Sequence, residues 1–354
     1  MTDSFLRFSP VVFAVGNDYL ISALVKKKCA FAVEVNGKRY CDHTNGVVRT
    51  AARIHRVRVP QSELDSAGKY SVILIPLISR EAYFSEFDSE IKYDYNFSPV
   101  PEENINIYHI FDTYGRTFHA VKSYQKSGKK ADLLILNGDI VDSSERESYF
   151  DTIYKLADKI TAGSIPIICS RGNHDLRGTA AEKIADYFPT ENHKTYYTVK
   201  CGNIWALVLD CGEDKTDDHD EYGGSVCCHE FRLEETEFIK DVIKNADKEY
   251  NSPEIKHRLI IAHNPFTHIF EPPFDIEQDL YESWVKLIGE NIKPELFFAG
   301  HVHSCFVSRP GDEFDSFNQP CDVIVGSKPD ENRSFTGCAV TLEGNGYTLN
   351  FCKG

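Results

Sequence analysis

From residue 105 onward, apolar runs alternate with stretches that read as helices, and this rhythm constrains the fold more than any other feature. I-N-I-Y-H-I-F precedes a helical stretch near 116–127. L-L-I-L-N precedes another near 145–161, and I-P-I-I-C-S follows it. H-R-L-I-I-A-H comes after a helix near 232–247, and E-L-F-F-A-G-H after one near 277–289. Strands apolar along their whole length are buried on both faces, and helices between them allow parallel pairing. An α/β domain with buried sheets is the expected result. From about residue 304 the chain returns to strands, C-D-V-I-V-G, G-C-A-V-T-L and G-Y-T-L-N-F.

The first hundred residues have a different grammar. C-A-F-A-V-E-V is followed by N-G-K, a hairpin turn, and then by R-Y-C. I-H-R-V-R-V-P and K-Y-S-V-I-L-I-P-L flank the turn-rich S-E-L-D-S-A-G, and no amphipathic helix stands out. A small antiparallel sandwich is expected over residues 1–100. The proline-bearing N-F-S-P-V-P-E-E-N reads as a linker, with a second domain over 104–354. At 354 residues two domains are the natural expectation. The sandwich shows no chemistry of its own. Packing against the second domain is its expected role, with dimerisation into a homo-oligomer as an alternative.

A net charge of −15 argues against long nucleic acids and anionic membranes, both of which select basic patches. No segment has the eighteen or so uninterrupted apolar residues of a membrane span, and V-V-F-A-V-G-N-D-Y-L-I-S-A-L-V lacks the flanks of a signal peptide. The eleven cysteines include no C-x-x-C pair, and Cys227 and Cys228 are adjacent. They read as reduced thiols, and the expected location is the cytoplasm.

In the second half, nearly every apolar run ends in a side chain able to bind a metal. The series is Asp112, Asp139, Asn173-His174-Asp175, His263, and His301 with His303. Alone, each is more often a cap or a turn former than a ligand. Together, in order on one α/β domain, they can converge, because ligands gather outside the carboxyl ends of such strands.

These residues fall in D-T-Y, G-D-I-V-D, G-N-H-D, A-H-N-P and G-H-V-H. On them the chain resembles the calcineurin-like metallophosphoesterases, whose motifs are D-x-H, G-D-x-x-D, G-N-H-D/E, a strand-end His and G-H-x-H. The resemblance covers roughly residues 105–310. Its layout, with a β-sandwich ahead, is more loosely similar to the purple acid phosphatases. It implies an α-β-β-α sandwich preceded by a small all-β, Ig/fibronectin-like sandwich. It also implies two adjacent metals bridged by Asp139, one completed by Asp112 and His303, the other by Asn173, His263 and His301, with Asp142 as a hydrogen-bonding support. Carboxylate, amide and imidazole suit Mn, Zn or Fe. Two such ions, about 3.5–4 Å apart, can hold a bridging hydroxide that attacks phosphorus in line. His174 is then placed to protonate the leaving oxygen, with Asp175 orienting it. Arg177 is a candidate phosphate clamp by its forked guanidinium, with a solvated arginine as the alternative. Arg171 and Arg116 are weaker versions of the same idea.

The first motif departs from the family at Tyr114, where an imidazole is expected. Tyr114 either ligates as a phenolate, favouring iron at the Asp112/Tyr114/His303 site, or only lines the pocket. His119, five residues further on, is a third candidate, but a helix beginning near Arg116 would carry it away from the strand end, so a core or surface histidine is the expected reading. The acidic run 213–222 reads as a solvated loop or a lip over the pocket, and His268 as a loop residue near the cleft. The implied activity is hydrolysis of phosphate esters, most simply monoesters of small metabolites. A phosphodiesterase and a non-catalytic metal-binding module are the alternatives.

Overall fold

A computed structural model describes residues 4–42, 46–330, 334–344 and 346–354. The first part contains β1 (Val11–Val15), β2 (Asp18–Leu24), β3 (Cys29–Val35), β4 (Lys38–Cys41) and β5 (Ile54–Pro60). Then come α1 (Gln61–Ala67), β6 (Lys69–Ser79), β7 (Glu86–Phe87) and β8 (Ile91–Asn96). The β3–β4 hairpin turns at Asn36 and Gly37, both left-handed as an Asn-Gly turn requires. The stretch read as a turn between β5 and β6 is instead the short α1, started after Pro60 and stopped at Gly68, whose φ of 62° closes the helix.

The second part alternates as expected. It runs β9 (Ile105–Ile110), α2 (Thr117–Lys126), β10 (Leu133–Asn137), α3 (Asp151–Thr161) and β11 (Ile167–Ser170). It continues with α4 (Ile184–Tyr187), β12 (Tyr197–Cys201), β13 (Ile204–Val208), α5 (Cys228–Lys244) and β14 (His257–Ile261). After α6 (Gln278–Asn291) and β15 (Leu296–Ala299) come β16 (Cys305–Ser308), β17 (Asp322–Gly326) and β18 (Lys328–Pro329). The last strands are β19 (Phe335–Glu343) and β20 (Gly346–Lys353).

Two sheets form the heart of the molecule. One runs β18-β19-β9-β10-β11-β1-β2-β5 with β20 beside β19; the other runs β12-β13-β14-β15-β17-β16. Strands β9, β10 and β11 are parallel, as are β13, β14, β15 and β17. Alternation along β13 shows why the sheets face each other. Ile204, Ala206 and Val208 join the core shared with the first sheet, while Trp205 and Leu207 pack with Ile239 of α5 and Trp284 of α6. Helices α2 and α3 cover the outer face of the first sheet, which gives the α-β-β-α sandwich. The strand-rich tail completes that sheet, since β19 pairs with β9 from Cys338↔His109 to Leu342↔Ile105.

The boundary near residue 100 is a change of composition and not a break in the sheet. Strand β1 pairs in parallel with β11, and β2 and β5 follow it antiparallel. All five residues of β1 are buried, so this strand belongs inside a covered sheet and would be wasted at the face of a separate module. The remaining strands, β4-β3-β6-β7 with β8, make a third sheet packed against β5 and α1. The all-β region therefore keeps its two layers, but one of them is the edge of the large sheet. Among the described residues no helix is long and apolar enough to cross a membrane.

Candidate active site

Each predicted polar group leaves the carboxyl end of a parallel strand. Asp112 and Tyr114 follow β9, Asp139 follows β10, Asn173 and His174 follow β11, His263 follows β14, and His301 and His303 follow β15. The chain must turn sharply to bring them together, and the backbone records this. Asp112, Tyr114, Asp139, His301 and His303 all have φ between 44° and 68°. Such conformations cost non-glycine residues free energy and persist where surrounding structure imposes them, commonly at functional sites. The glycines before three of the groups leave room for close approach. A Cβ on Gly138 would lie 2.6 Å from His263 Nδ1, one on Gly300 would lie 2.8 Å from the same atom, and one on Gly172 would overlap the Asp139 carboxylate.

Asp112, Asp139 and His263 are fully buried, and one ligand atom from each lies within 4.8 Å of the others. His263 Nδ1 donates to the Asn137 carbonyl at 2.6 Å, which directs Nε2 at Asp139 Oδ2 (3.3 Å) and Asp112 Oδ1 (3.6 Å). Asp112 Oδ2 and His263 Nε2 have no hydrogen-bond partner. Three buried groups thus turn lone pairs toward one another, an arrangement that requires a positive charge among them. The protein alone supplies it with protons. Burial and the neighbouring Asp139 push Asp112 up to about 8, although His263 pulls it down. His263 is lowered by burial but raised more by Asp139 and Asp112, to about 10. Cations held by the carboxylates and the imidazole would replace those protons, so the donor set fits divalent metal.

Tyr114 belongs to this cluster. Its hydroxyl lies 3.1 Å from Asp112 Oδ1, 3.2 Å from Asp139 Oδ2 and 2.8 Å from His303 Nε2. Burial and the two carboxylates hold the phenol far above its ordinary range, so without a cation it is neutral. On the other side, Asn173 Oδ1 is 3.2 Å from His301 Nδ1, and the His263 and His301 rings are 5.6 Å apart between centroids. All seven expected ligands are therefore in one constellation. His119 is not among them: it lies within α2, its ring against Phe118.

Three supporting roles differ from expectation. Asp175 does not touch the His174 ring. Its carboxylate accepts from the backbone N–H of Gly172 (2.8 Å) and Asp139 (3.2 Å), tying the two ligand loops together. His174 is oriented instead by the main-chain carbonyl of Asp142, which accepts from Nδ1 at 2.8 Å. Arg177 is not an open phosphate clamp, because its fork is closed on Glu213 at 2.9 and 2.8 Å, and Nη1 donates to His174 Nε2 at 3.1 Å. Arg171 likewise pairs with Asp210 at 2.7 Å, and Arg116 stays exposed at the start of α2.

The start of the acidic run is neither solvated nor loose. Glu213, Asp214 and Lys215 are buried, and Arg232, itself 1% exposed, donates to the carbonyls of Cys211 and Glu213 from beneath. Asp214 Oδ2 lies 3.3 Å from Asn173 Nδ2 and 3.8 Å from His301 Nε2, a carboxylate at the rim of the site, as the lip alternative for the acidic run implies. Its signal was available. L-V-L-D-C-G-E-D is another apolar strand, β13, ending in carboxylates.

The model of the calcineurin-like phosphoesterase family matches residues 105–305, more than half of the chain, and the chain belongs to that family. It is accordingly a metal-dependent phosphoric ester hydrolase. Among solved structures it is similar to a purple acid phosphatase from yellow lupin (Lupinus luteus) seeds, with a TM-score of 0.60 and 15% identity over 98% of this chain and 72% of that one. It is also similar to PhoD, with a TM-score of 0.54 and 11% identity over 99% and 90% of the two chains. At these identities the likeness is one of fold, and it extends over the all-β region as well. No curated protein matches in sequence.

Proposed function

We propose that this protein is a binuclear phosphomonoesterase acting on small phosphorylated metabolites. The observation that carries the reading is the buried cluster of Asp112, Asp139 and His263, in which Asp112 Oδ2 and His263 Nε2 have no partner and positive charge is called for. Asp112, Tyr114, His303 and Asp139 would hold one ion, and Asp139, Asn173, His263 and His301 the other. Oxygen and imidazole donors suit Mn, Zn or Fe, and a phenolate from Tyr114 would favour iron at the first position. When bound, the ions supply Lewis acidity toward the phosphoryl group and lower the pKa of water.

The chain's own residues do the rest. Asn137 fixes the tautomer of His263 through its carbonyl, leaving Nε2 free to ligate. Asp175 holds the loops carrying Asp139 and Asn173 in register. His174 Nε2, 4.0 Å from Asp139 Oδ2, would be the group to protonate a leaving oxygen. To give a proton there it must first carry one at Nε2, which requires Arg177 Nη1 to turn aside. Arg177 is then a positioning residue whose freedom is limited by Glu213.

The net charge of −15 counts against long nucleic acids as substrates and so supports a small phosphorylated molecule. All eleven cysteines are unpaired, which supports a reducing cytoplasmic setting. The test is hydrolysis of generic mono- and diester substrates after loading with Mn, Zn or Fe. Faster turnover of the monoester is expected, and faster turnover of the diester overturns the substrate class.

A further inference from the structure

The loop that carries Asp214 to the rim of the site is braced from below. After β13 the chain turns at Gly212 (φ 66°), where the Asp210 carboxylate accepts from the Gly212 N–H at 3.1 Å. Helix α5 supports the turn with three side chains. Glu235 accepts from the Asp210 N–H at 2.7 Å, Cys228 Sγ accepts from the Glu213 N–H at 3.4 Å, and Arg232 donates to the Cys211 and Glu213 carbonyls. A Cβ on Gly212 would lie 2.8 Å from Cys228 Sγ, so loop and helix meet at contact distance. Asp214 leaves this support only 7% exposed, and a carboxylate so buried needs partners.

Its two oxygens face different ways. Oδ1 takes up the local donors, the Tyr222 hydroxyl at 2.9 Å, Lys215 Nζ at 3.2 Å and Arg177 Nη2 at 3.4 Å. Oδ2 is left to two metal ligands, 3.3 Å from Asn173 Nδ2 and 3.8 Å from His301 Nε2. Among the described residues no other carboxylate is within ion-pair reach of His301. Each contact decides which atom its partner turns inward. With its N–H donated to Asp214, the Asn173 amide presents Oδ1 to the site, the end of an amide that can bind a cation. His301 Nδ1 lies 3.2 Å from that same oxygen, and the two can share an ion only when Nδ1 is bare and the ring proton sits on Nε2. Asp214 Oδ2 is the acceptor facing that proton.

We propose that Asp214 is a positioning residue for the ion held by Asn173 and His301, fixing the amide orientation of one ligand and the imidazole tautomer of the other. The inference rests on the binuclear reading and adds to it a residue that acts through the ligands. Removing the carboxylate leaves Arg177 paired with Glu213 and Lys215 with Glu221, so the loop keeps ion pairs of its own.

The test titrates the full-length, metal-free protein with Co(II) against a chelator of known affinity, with melting temperature as the check of fold. The parent should take up two ions. In Asp214→Ala one binding step should weaken by about 10–100-fold, the range for losing the hydrogen-bonding partner of a metal ligand, and the other should stay as it is. At saturation the visible cobalt spectrum should keep the parent's intensity, because no ligand is lost. A changed intensity would make Asp214 itself a ligand and overturn the positioning role. A double-mutant cycle gives a further readout. The loss from Asp214→Ala should shrink in the Asn173→Ala background and stay full in His303→Ala, which removes a ligand of the other ion. Equal losses in the two backgrounds, or steps in Asp214→Ala that are both unchanged or weakened alike, overturn the inference alone. A parent that binds one ion or fewer overturns the binuclear reading and this inference with it.

Discussion

Replacing Tyr114 by Phe removes one oxygen from the centre of the site and leaves the ring. That oxygen stands 2.8–3.2 Å from Asp112, Asp139 and His303, but a neutral phenol has one proton and can donate to only one of them at a time. A hydrogen bond to a charged group contributes about 1.5–3 kcal/mol, and the substitution leaves its carboxylate partner buried. The metal-free Tyr114→Phe protein should therefore lose about 2 kcal/mol in urea-monitored unfolding, near the lower half of that range because the ring itself still packs against His174 and His303. The metal-loaded protein should show more. If the oxygen ligates, one of the two ions loses a donor, and its affinity falls by at least about tenfold, or 1.4 kcal/mol, while the other ion is held as before. Competitive titration against a chelator of known affinity measures both steps. Two unchanged binding steps in the variant would refute the ligand role and leave Tyr114 as a wall of the pocket.

Three other outcomes follow from the geometry. Gly172→Ala places a Cβ against the Asp139 carboxylate and 2.7 Å from the Asp139 backbone nitrogen, so it should cost about 1–3 kcal/mol of stability and weaken metal binding, both read by melting with and without metal. Asp175→Asn weakens the tie between the loops of Asp139 and Asn173 and should lower metal affinity by about 10–100-fold while leaving the outer strands intact, checked by metal titration and circular dichroism. His55 is stacked on Phe31, and burial, with Arg49 adding to it, lowers its pKa to about 4. Because the folded value lies below the unfolded value of 6.5, its contribution is fully present above about pH 6.5 and declines as pH falls toward 4, by about 3 kcal/mol in all. Unfolding curves of the parent and His55→Phe at pH 7 and pH 4.5 should show a smaller acid loss in the variant, and equal losses would contradict the burial argument.

The site was more legible in the sequence than the architecture around it. Asp112, Asp139, Asn173, His263, His301 and His303 could be found because buried parallel strands have one chemically open end, and a polar residue there is conspicuous against an apolar run. Asp214 follows the same rule after β13 and was obscured by the acidic residues that continue beyond it. The partners of Arg177 and Asp175 were not legible, since Glu213 lies 36 residues from Arg177 and the direction of a side chain in a 3₁₀ turn is not carried by motif spacing. Strand β1 illustrates the limit for the fold. V-V-F-A-V announces a strand covered on both faces, but its alternation does not name β11 as a neighbour more than 150 residues away. The short α1 was hidden for a different reason, because seven residues between Pro60 and Gly68 carry the same Ser, Asp and Gly signals as a turn.

The central claim is that this chain holds two metal ions with the residues named, despite a tyrosine in its first motif. Elemental analysis of protein purified without a metal-binding tag tests it most directly. The account predicts close to two Mn, Zn or Fe ions per chain, with iron as one of them if the Tyr114 phenolate ligates. One ion or fewer, not raised by incubation with those metals, would contradict it.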